Sequence, residues 1–379
     1  MEVVRDLERL VAFPTVSNRP LTALAAHVAE RFESLGFRVD RFDDPTEDGK
    51  CSLIASIGPK GTDGMILSGH MDVVPTEGQP WSSDPFRVRA EGGRLYGRGT
   101  ADMKGFFAVC MQALGRISAE SYRRELILIW THDEELGCLG SARWVDSVIG
   151  EDRPWPSACL IGEPTDFQIL RMHPGHVGIA IDVSGRAAHS SRPDLGTNAI
   201  EACADIIGAA RELARELEGE TLDLPEVERP WVALNIASIE GGAAINIVPD
   251  ACRLKIGYRP LPGMEPHAVY HRLVERIDAL GLDAPVKTTI LRTTPSMLTP
   301  DGTPLQGLLE PHADHEHCGA ATFATDGGNL ARLGIEPLVF GPGSINVAHQ
   351  ADEFVPVAQL VRAVEVIEDV VRRRCCSTP

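Results

Sequence analysis

Two histidines and a group of carboxylates in this chain have the types and placing needed to hold metal ions. His70 and Asp72 form a His-x-Asp pair at the end of the apolar run MILSGHMD. Side chains two apart on a strand share a face, so Asp72 is placed to accept the second ring N–H of His70 and fix the tautomer of a metal-bound imidazole. Asp102 sits in YGRGTADMKG, a glycine-rich turn running into a helix, where its carboxylate is free to face a cleft. Glu134 and Glu135 close ELILIWTHDEE beside Asp133. Adjacent acids at a buried strand end repel one another unless a cation compensates them. Glu163 follows ACLIG, and His349 lies in GPGSINVAHQADEF after the apolar EPLVFGP.

Taken singly, each residue also has a plain structural reading: a polar strand end for His70, a helix N-cap for Asp102, a solvated acidic turn for Glu134 and Glu135. Five positions agreeing at strand ends of one sheet point instead to a shared site. One histidine with carboxylates for each of two ions, and an acid between them, makes an oxygen-rich dinuclear arrangement suited to hydrolysis. Such donors accept Zn2+, Co2+ or Mn2+. The stretch DHEHC, with His315 and His317, and His312 just before it follow no buried strand and read as a solvated cluster. Cys138 reads as a small residue at a helix start.

The elements that must position these residues alternate as in α/β proteins. A periodic helix over about 21–35 leads to FRVDRF, then to the strand ending at His70. A helix at about 103–119, the strand ELILIWT, a helix after Gly137 and the short run ACLIGE follow. Polar residues come where apolar strands end, which is where open α/β sheets gather their sites. Near residue 175 the pattern changes. HVGIAIDVSG alternates strictly, a long amphipathic stretch runs from Asn198 to Glu218, and WVALNIASI, CRLKIGYRP and a helix near 266–280 complete a small four-stranded sheet with two helices. The polar, proline-containing segment from Arg292 to Pro304 returns the chain to EPLVFGP and a last helix from about Val357. Two domains are therefore expected, one of residues 1–174 with 292–379, the other an insertion of residues 175–291.

Composition narrows the function classes. The 379 residues carry a formal charge of −18, which disfavours nucleic acid and anionic membrane surfaces. The RRRCC run near Arg374 reads as cations at a helix C-terminus. No signal peptide or membrane span is expected, and a cytoplasmic location follows. Nine cysteines scattered through apolar stretches fit reduced thiols.

The strings SGHMDVVP, GRGTADMKG, DEELG, GEP and AHQADEF resemble the metal-binding motifs of the M20 metallopeptidase family, over nearly the whole chain. That family contains acetylornithine deacetylases, succinyl-diaminopimelate desuccinylases, aminoacylases and carboxypeptidases. The resemblance implies a zinc-exopeptidase-like catalytic domain, a mixed central sheet flanked by helices, and an inserted α+β lid and dimerisation domain of ferredoxin-like form. It implies that His70 and Glu163 hold one ion, that Glu135 and His349 hold the other, that Asp102 bridges them and that Glu134 is the general base. GRAAHSSRPDLGTNAI resembles the segment whose histidine, here His189, stabilises the oxyanion in a partner subunit's site. Asn246 and Arg259 match positions that bind the substrate's carbonyl or carboxylate. The closing GPGSINVAHQADEF looks most like the acetylornithine deacetylase branch, although TDGG in ATFATDGGNL departs from the Thr-Glu of those enzymes. The expected protein is a homodimeric hydrolase with two divalent ions, most simply zinc, acting on an N-acyl amino acid. The alternatives are a desuccinylase, an acetylcitrulline deacetylase, a dipeptidase or a carboxypeptidase.

Overall fold

The computed structural model of the chain describes residues 1–17, 19–314 and 318–377. It divides into two compact units, Met1–Met172 with Leu298–Ala320 and Thr325–Pro379, and His173–Met297 with Ala321–Ala324.

The first unit is built on a mixed sheet of nine strands among the described residues. Four strands at its centre run parallel, in the order Leu126–Thr131, Met65–His70, Ala158–Ile161 and Glu336–Val339. Every residue of the first two is buried. Strands covered on both faces read as near-continuous apolar runs, broken in these two only by Ser68 and Gly69 before the polar ends His70 and Thr131. Alternate side chains Leu126, Leu128 and Trp130 join Phe32, Phe106 and Phe107 in the main core. The rings of Phe107 and Trp130 lie 4.2 Å apart between centroids. The helices Glu2–Val11, Lys104–Gly115 and Val357–Val371 pack against one another in the same core. The last continues as a wider turn, Arg372–Cys376, whose Arg372 and Arg373 pair back with Glu368 and Asp369.

Because the four central strands are parallel, their carboxyl ends share one side of the sheet, and the chain leaves each of them there into a loop. The two core strands in sequence order thus deliver His70 and the 132–135 segment side by side.

The second unit is an antiparallel sheet in the order Ala233–Gly241, Ala251–Arg259, His176–Ser184 and Val286–Thr294. Val177, Ile179, Ile181 and Val183 alternate onto one face, where they meet Cys203, Ile206 and Leu213 of the helix Ala199–Gly219 and Leu273 of Ala268–Ala279. Asn198 caps the longer helix, its Oδ1 accepting the N–H groups of Ile200 and Glu201 at 3.0 and 3.3 Å. The fourth strand runs through Arg292 to Thr294, past the point where polarity suggests a connecting segment. Its β-branched Thr288, Thr289, Ile290, Thr293 and Thr294 favour extended pairing with the His176–Ser184 strand. All nine cysteines are free. No helix of the described residues is long and apolar enough to cross a membrane.

Candidate metal centre

His70 is the last residue of a buried strand that is laddered on both sides, so its imidazole leaves the sheet from a fixed backbone. Its Nε2 lies 2.9 Å from Asp102 Oδ1 and 3.7 Å from Glu163 Oε1. The other oxygen of Asp102, Oδ2, lies 3.3 Å from His349 Nε2. His349 Nε2 is in turn 2.9 Å from Glu135 Oε2. The five expected ligands therefore converge, with Asp102 in the middle and one of its oxygens turned to each histidine.

They do not all arrive from strand ends. Glu135 and Glu163 follow the strands Leu126–Thr131 and Ala158–Ile161 closely. Asp102 comes from the turn before the helix Lys104–Gly115, and His349 from a long loop beyond Glu336–Val339. His349 (φ 61°), like the nearby Asp133 (φ 50°), Cys138 (φ 60°) and Asp352 (φ 57°), holds a left-handed backbone that costs a non-glycine residue energy and recurs where geometry serves a site.

Asp72 behaves differently from the expectation. The ring Nδ1 of His70 is 3.0 Å from the main-chain oxygen of Asp72 and 3.6 Å from its carboxylate. The tautomer is thus set by a backbone carbonyl. The carboxylate faces the neighbouring strand's loop, where Oδ1 accepts Glu134 N–H at 3.1 Å and Oδ2 accepts Glu135 N–H at 3.3 Å and Ser17 Oγ–H at 2.8 Å. Main-chain donors of a buried turn need partners, and Asp72 is the acid within their reach.

The electrostatics show why a cation fits this donor set. Burial pushes Glu134 and Glu163 well above the ordinary carboxyl range, with Glu163 and Asp326 adding to the effect at Glu134 and Asp102 at Glu163. Burial and then Asp102 raise Glu135 to about 7. Burial acts on Asp102 in the same sense, but hydrogen bonds from His349 and His70 outweigh it and hold this carboxylate far below the ordinary range. Hydrogen bonds to Asp102 and Glu135 raise His349 to about 10. So many acids crowded out of water must bind protons or cations. Ligand atoms of His70, Asp102 and Glu135 all lie within 4.8 Å of one another, a spacing that one ion can span.

Glu134 stands beside this set and contacts a residue assigned no part in the site from sequence. Cys138, at the start of the helix Leu139–Val148, donates its S–H to Glu134 Oε1 at 3.2 Å. Asp326 is a second such residue. Its oxygens accept Thr131 Oγ–H and Ser141 Oγ–H, each at 2.5 Å, which ties the end of one strand to the helix after Glu135. Its signal was the TDGG segment, whose departure from the related pattern marked an acid there without showing its partners.

His189, Asn246 and Arg259 lie in the second unit. His189 bridges to Ile247, and Ser190 N–H donates to the Asn246 carbonyl at 3.0 Å, so the two turns are neighbours. The imidazole is exposed, with Nδ1 2.8 Å from Ser191 Oγ. Arg259 ends its strand near His176 and Arg292. Burial pushes His176 down to about 4, and both guanidinium groups act in the same direction. His312 Nε2 pairs with Asp369 Oδ2 at 3.1 Å, while His315 and His317 lie outside the described residues.

Solved structures share this fold across the whole chain. A tripeptidase from Staphylococcus aureus superposes with a TM-score of 0.75 at 18% identity, covering 98% of this chain and 97% of that one. An M20 family metallo-carboxypeptidase from Sulfolobus solfataricus does so with a TM-score of 0.77 at 17% identity, covering 98% and 99%. A Bacillus subtilis protein described as a dinuclear metal binding peptidase from the M20 family reaches 0.68 at 14% identity, covering 97% and 96%. Residues 66–373 match the model of peptidase family M20/M25/M40, and they span His70, Asp102, Glu134, Glu135, Glu163 and His349. With that match over most of its length, the chain belongs to peptidase family M20/M25/M40 and is a hydrolase of amide bonds.

Proposed function

We propose that this protein removes the acyl group from an N-acyl amino acid, a reaction of the acetylornithine deacetylase type, with two divalent ions as cofactors. The observation that carries the reading is Asp102, whose two oxygens face His70 at 2.9 Å and His349 at 3.3 Å. His70 and Glu163 would hold one ion and Glu135 and His349 the other, with Asp102 between them. When bound, zinc, cobalt or manganese supplies Lewis-acid polarisation of the amide carbonyl and a water of lowered pKa.

Glu134 takes the proton of the attacking water as the O–C bond forms, then passes it to the amine nitrogen as the C–N bond breaks. Its buried position favours the protonated carboxyl between the two steps. Asp72 holds the main chain of Glu134 and Glu135 in place. His189 donates to the developing oxyanion from a second copy of the chain, in a homodimer built through the inserted unit. Asn246 binds the substrate's carbonyl. Arg259, in cationic company with Arg292, suits the free carboxylate of an amino acid. Small acyl amino acids fit this reading, and neither nucleic acid nor membrane enters it.

A second reading keeps the metal centre and changes the substrate. The tripeptidase and metallo-carboxypeptidase that share the fold favour a dipeptidase or carboxypeptidase. Amine release from acetylornithine, acetylcitrulline, succinyl-diaminopimelate and simple N-acyl amino acids, measured beside unblocked dipeptides, separates the two. Turnover of dipeptides alone selects the second reading. The roles are tested by Glu134→Ala, which should keep its metal content while turnover collapses. A variant that loses metal and keeps activity reverses the assignment of base and ligand.

A further inference from the structure

Glu353 lies just beyond His349 in sequence and is 1% exposed. Its Oε1 accepts the N–H groups of Ala101 and Asp102 at 2.9 and 3.0 Å. Its Oε2 accepts Gly99 N–H at 3.1 Å and Arg98 Nη1–H at 2.7 Å. Arg98, equally buried, gives its Nη2 to Gln79 Oε1 at 2.6 Å and stacks over the ring of Trp81, whose Nε1 donates to the same oxygen at 3.0 Å. Gln79 completes the circuit by donating Nε2–H to the His349 carbonyl at 2.8 Å. A continuous path of hydrogen bonds therefore runs from Asp102 through Glu353, Arg98 and Gln79 to His349.

The two ends of this path are unequal. Asp102 is buried and is held by Glu353 at its own N–H. His349 has a side chain 52% exposed, a left-handed backbone and a place on a loop, so it has the most conformational freedom to lose on ligation. His70, by contrast, ends a buried strand and is paired with Thr131 of the neighbouring one. An outer partner that orients a ligand matters most where nothing else does so.

We propose that Gln79 is a positioning residue for His349 and sets the affinity of one ion of the pair, the one held by Glu135 and His349, leaving the ion at His70 and Glu163 to the sheet. Glu353, which anchors the shared Asp102, acts on both. The inference rests on the dinuclear reading above and deepens it.

Gln79→Glu is the discriminating change, because it keeps the acceptor for Arg98 and replaces only the donor to the His349 carbonyl. Gln79→Met is read beside it to remove the effect of added charge. The wild type, these variants and Glu353→Gln are stripped with a chelator, checked for folding by thermal unfolding, and dialysed to equilibrium against zinc. Wild type should bind two zinc ions per chain. Both Gln79 variants should keep one at wild-type affinity and bind the other about 10–100-fold more weakly, whereas Glu353→Gln should weaken both. Gln79 variants that bind both ions as wild type does, or lose both equally, overturn the proposal. A wild-type chain that takes up fewer than two zinc ions overturns the dinuclear reading itself, and this proposal with it.

Discussion

Lys50 Nζ lies 2.6 Å from Asp133 Oδ1, in a pair whose side chains are 3% and 0% exposed. Burial pushes the Asp133 carboxyl up while Lys50 opposes it, and Oδ2 has no hydrogen-bond partner among the described residues. Lys50 also reaches the Ser17 carbonyl, and Ser17 Oγ donates to Asp72. One buried cation thus underlies the turn that carries Glu134.

Removing that cation leaves an uncompensated buried charge. Lys50→Met is expected to destabilise the chain by about 3–5 kcal/mol, read as a fall in the urea midpoint. Adding Asp133→Asn should recover part of the loss, because the amide does not need the missing charge.

Asp72 holds two main-chain N–H groups in the segment of the base. Asp72→Ala should lower turnover about 10–100-fold by freeing the main chain of Glu134 and Glu135, while zinc at His70 is kept, since the alanine retains the main-chain oxygen that faces its Nδ1. Zinc content and kcat measured on the same preparation check both halves.

Gly162 immediately precedes Glu163. An added Cβ would lie 2.0–2.3 Å from the ring carbons Cγ, Cδ1 and Cδ2 of Phe106, which is itself 1% exposed and enclosed by the core. Gly162→Ala is expected to cost about 1–3 kcal/mol and to lower zinc uptake through displacement of Glu163. Gly208→Ala is the control. That glycine sits inside the helix Ala199–Gly219 with nothing within 4 Å of an added Cβ, and the change should stabilise by about 0.5–1 kcal/mol.

His173 makes a separable contribution to the acid side of the stability profile. Burial pushes this imidazole down from 6.5 to about 4, so the folded chain binds its proton more weakly than the unfolded chain does. Its contribution is complete above about pH 6.5 and is lost as the pH falls through about 4, a change of about 3 kcal/mol. The raised carboxyls of Glu134, Glu135 and Glu163 act in the opposite sense over part of that window, so the readout is a difference: the urea midpoint of wild type minus that of His173→Asn should fall as the pH drops from about 6.5 to about 4.

Much of the architecture was legible in the sequence because burial on both faces leaves a plain signature. MILSGH and LILIWT are mostly apolar runs, broken only by Ser68 and Gly69, and the polar residues at their ends are His70 and, after Thr131, the 132–135 segment. The change to strict alternation at HVGIAIDVS marked the second sheet for the same reason, since only one face of that strand meets the helices. The ligand types were likewise readable, and so was the turn before a helix that carries Asp102, whereas the grouping of all five at strand ends fails for Asp102 and His349.

Periodicity describes how a residue faces its own element, and it is silent on which distant loop folds over it. The sequence by itself therefore determined the buried strands of an α/β core, the second sheet and the identity of the convergent acids and histidines. Only the tertiary structure decided that Asp72 holds the amides of Glu134 and Glu135, with its main-chain oxygen nearer the ring of His70 than its carboxylate is. It also decided that Cys138 touches the base and that Gln79 meets His349. Those partners lie on separate loops, and a hydrogen bond depends on a few tenths of an ångström that packing of the whole unit sets and no local spacing encodes.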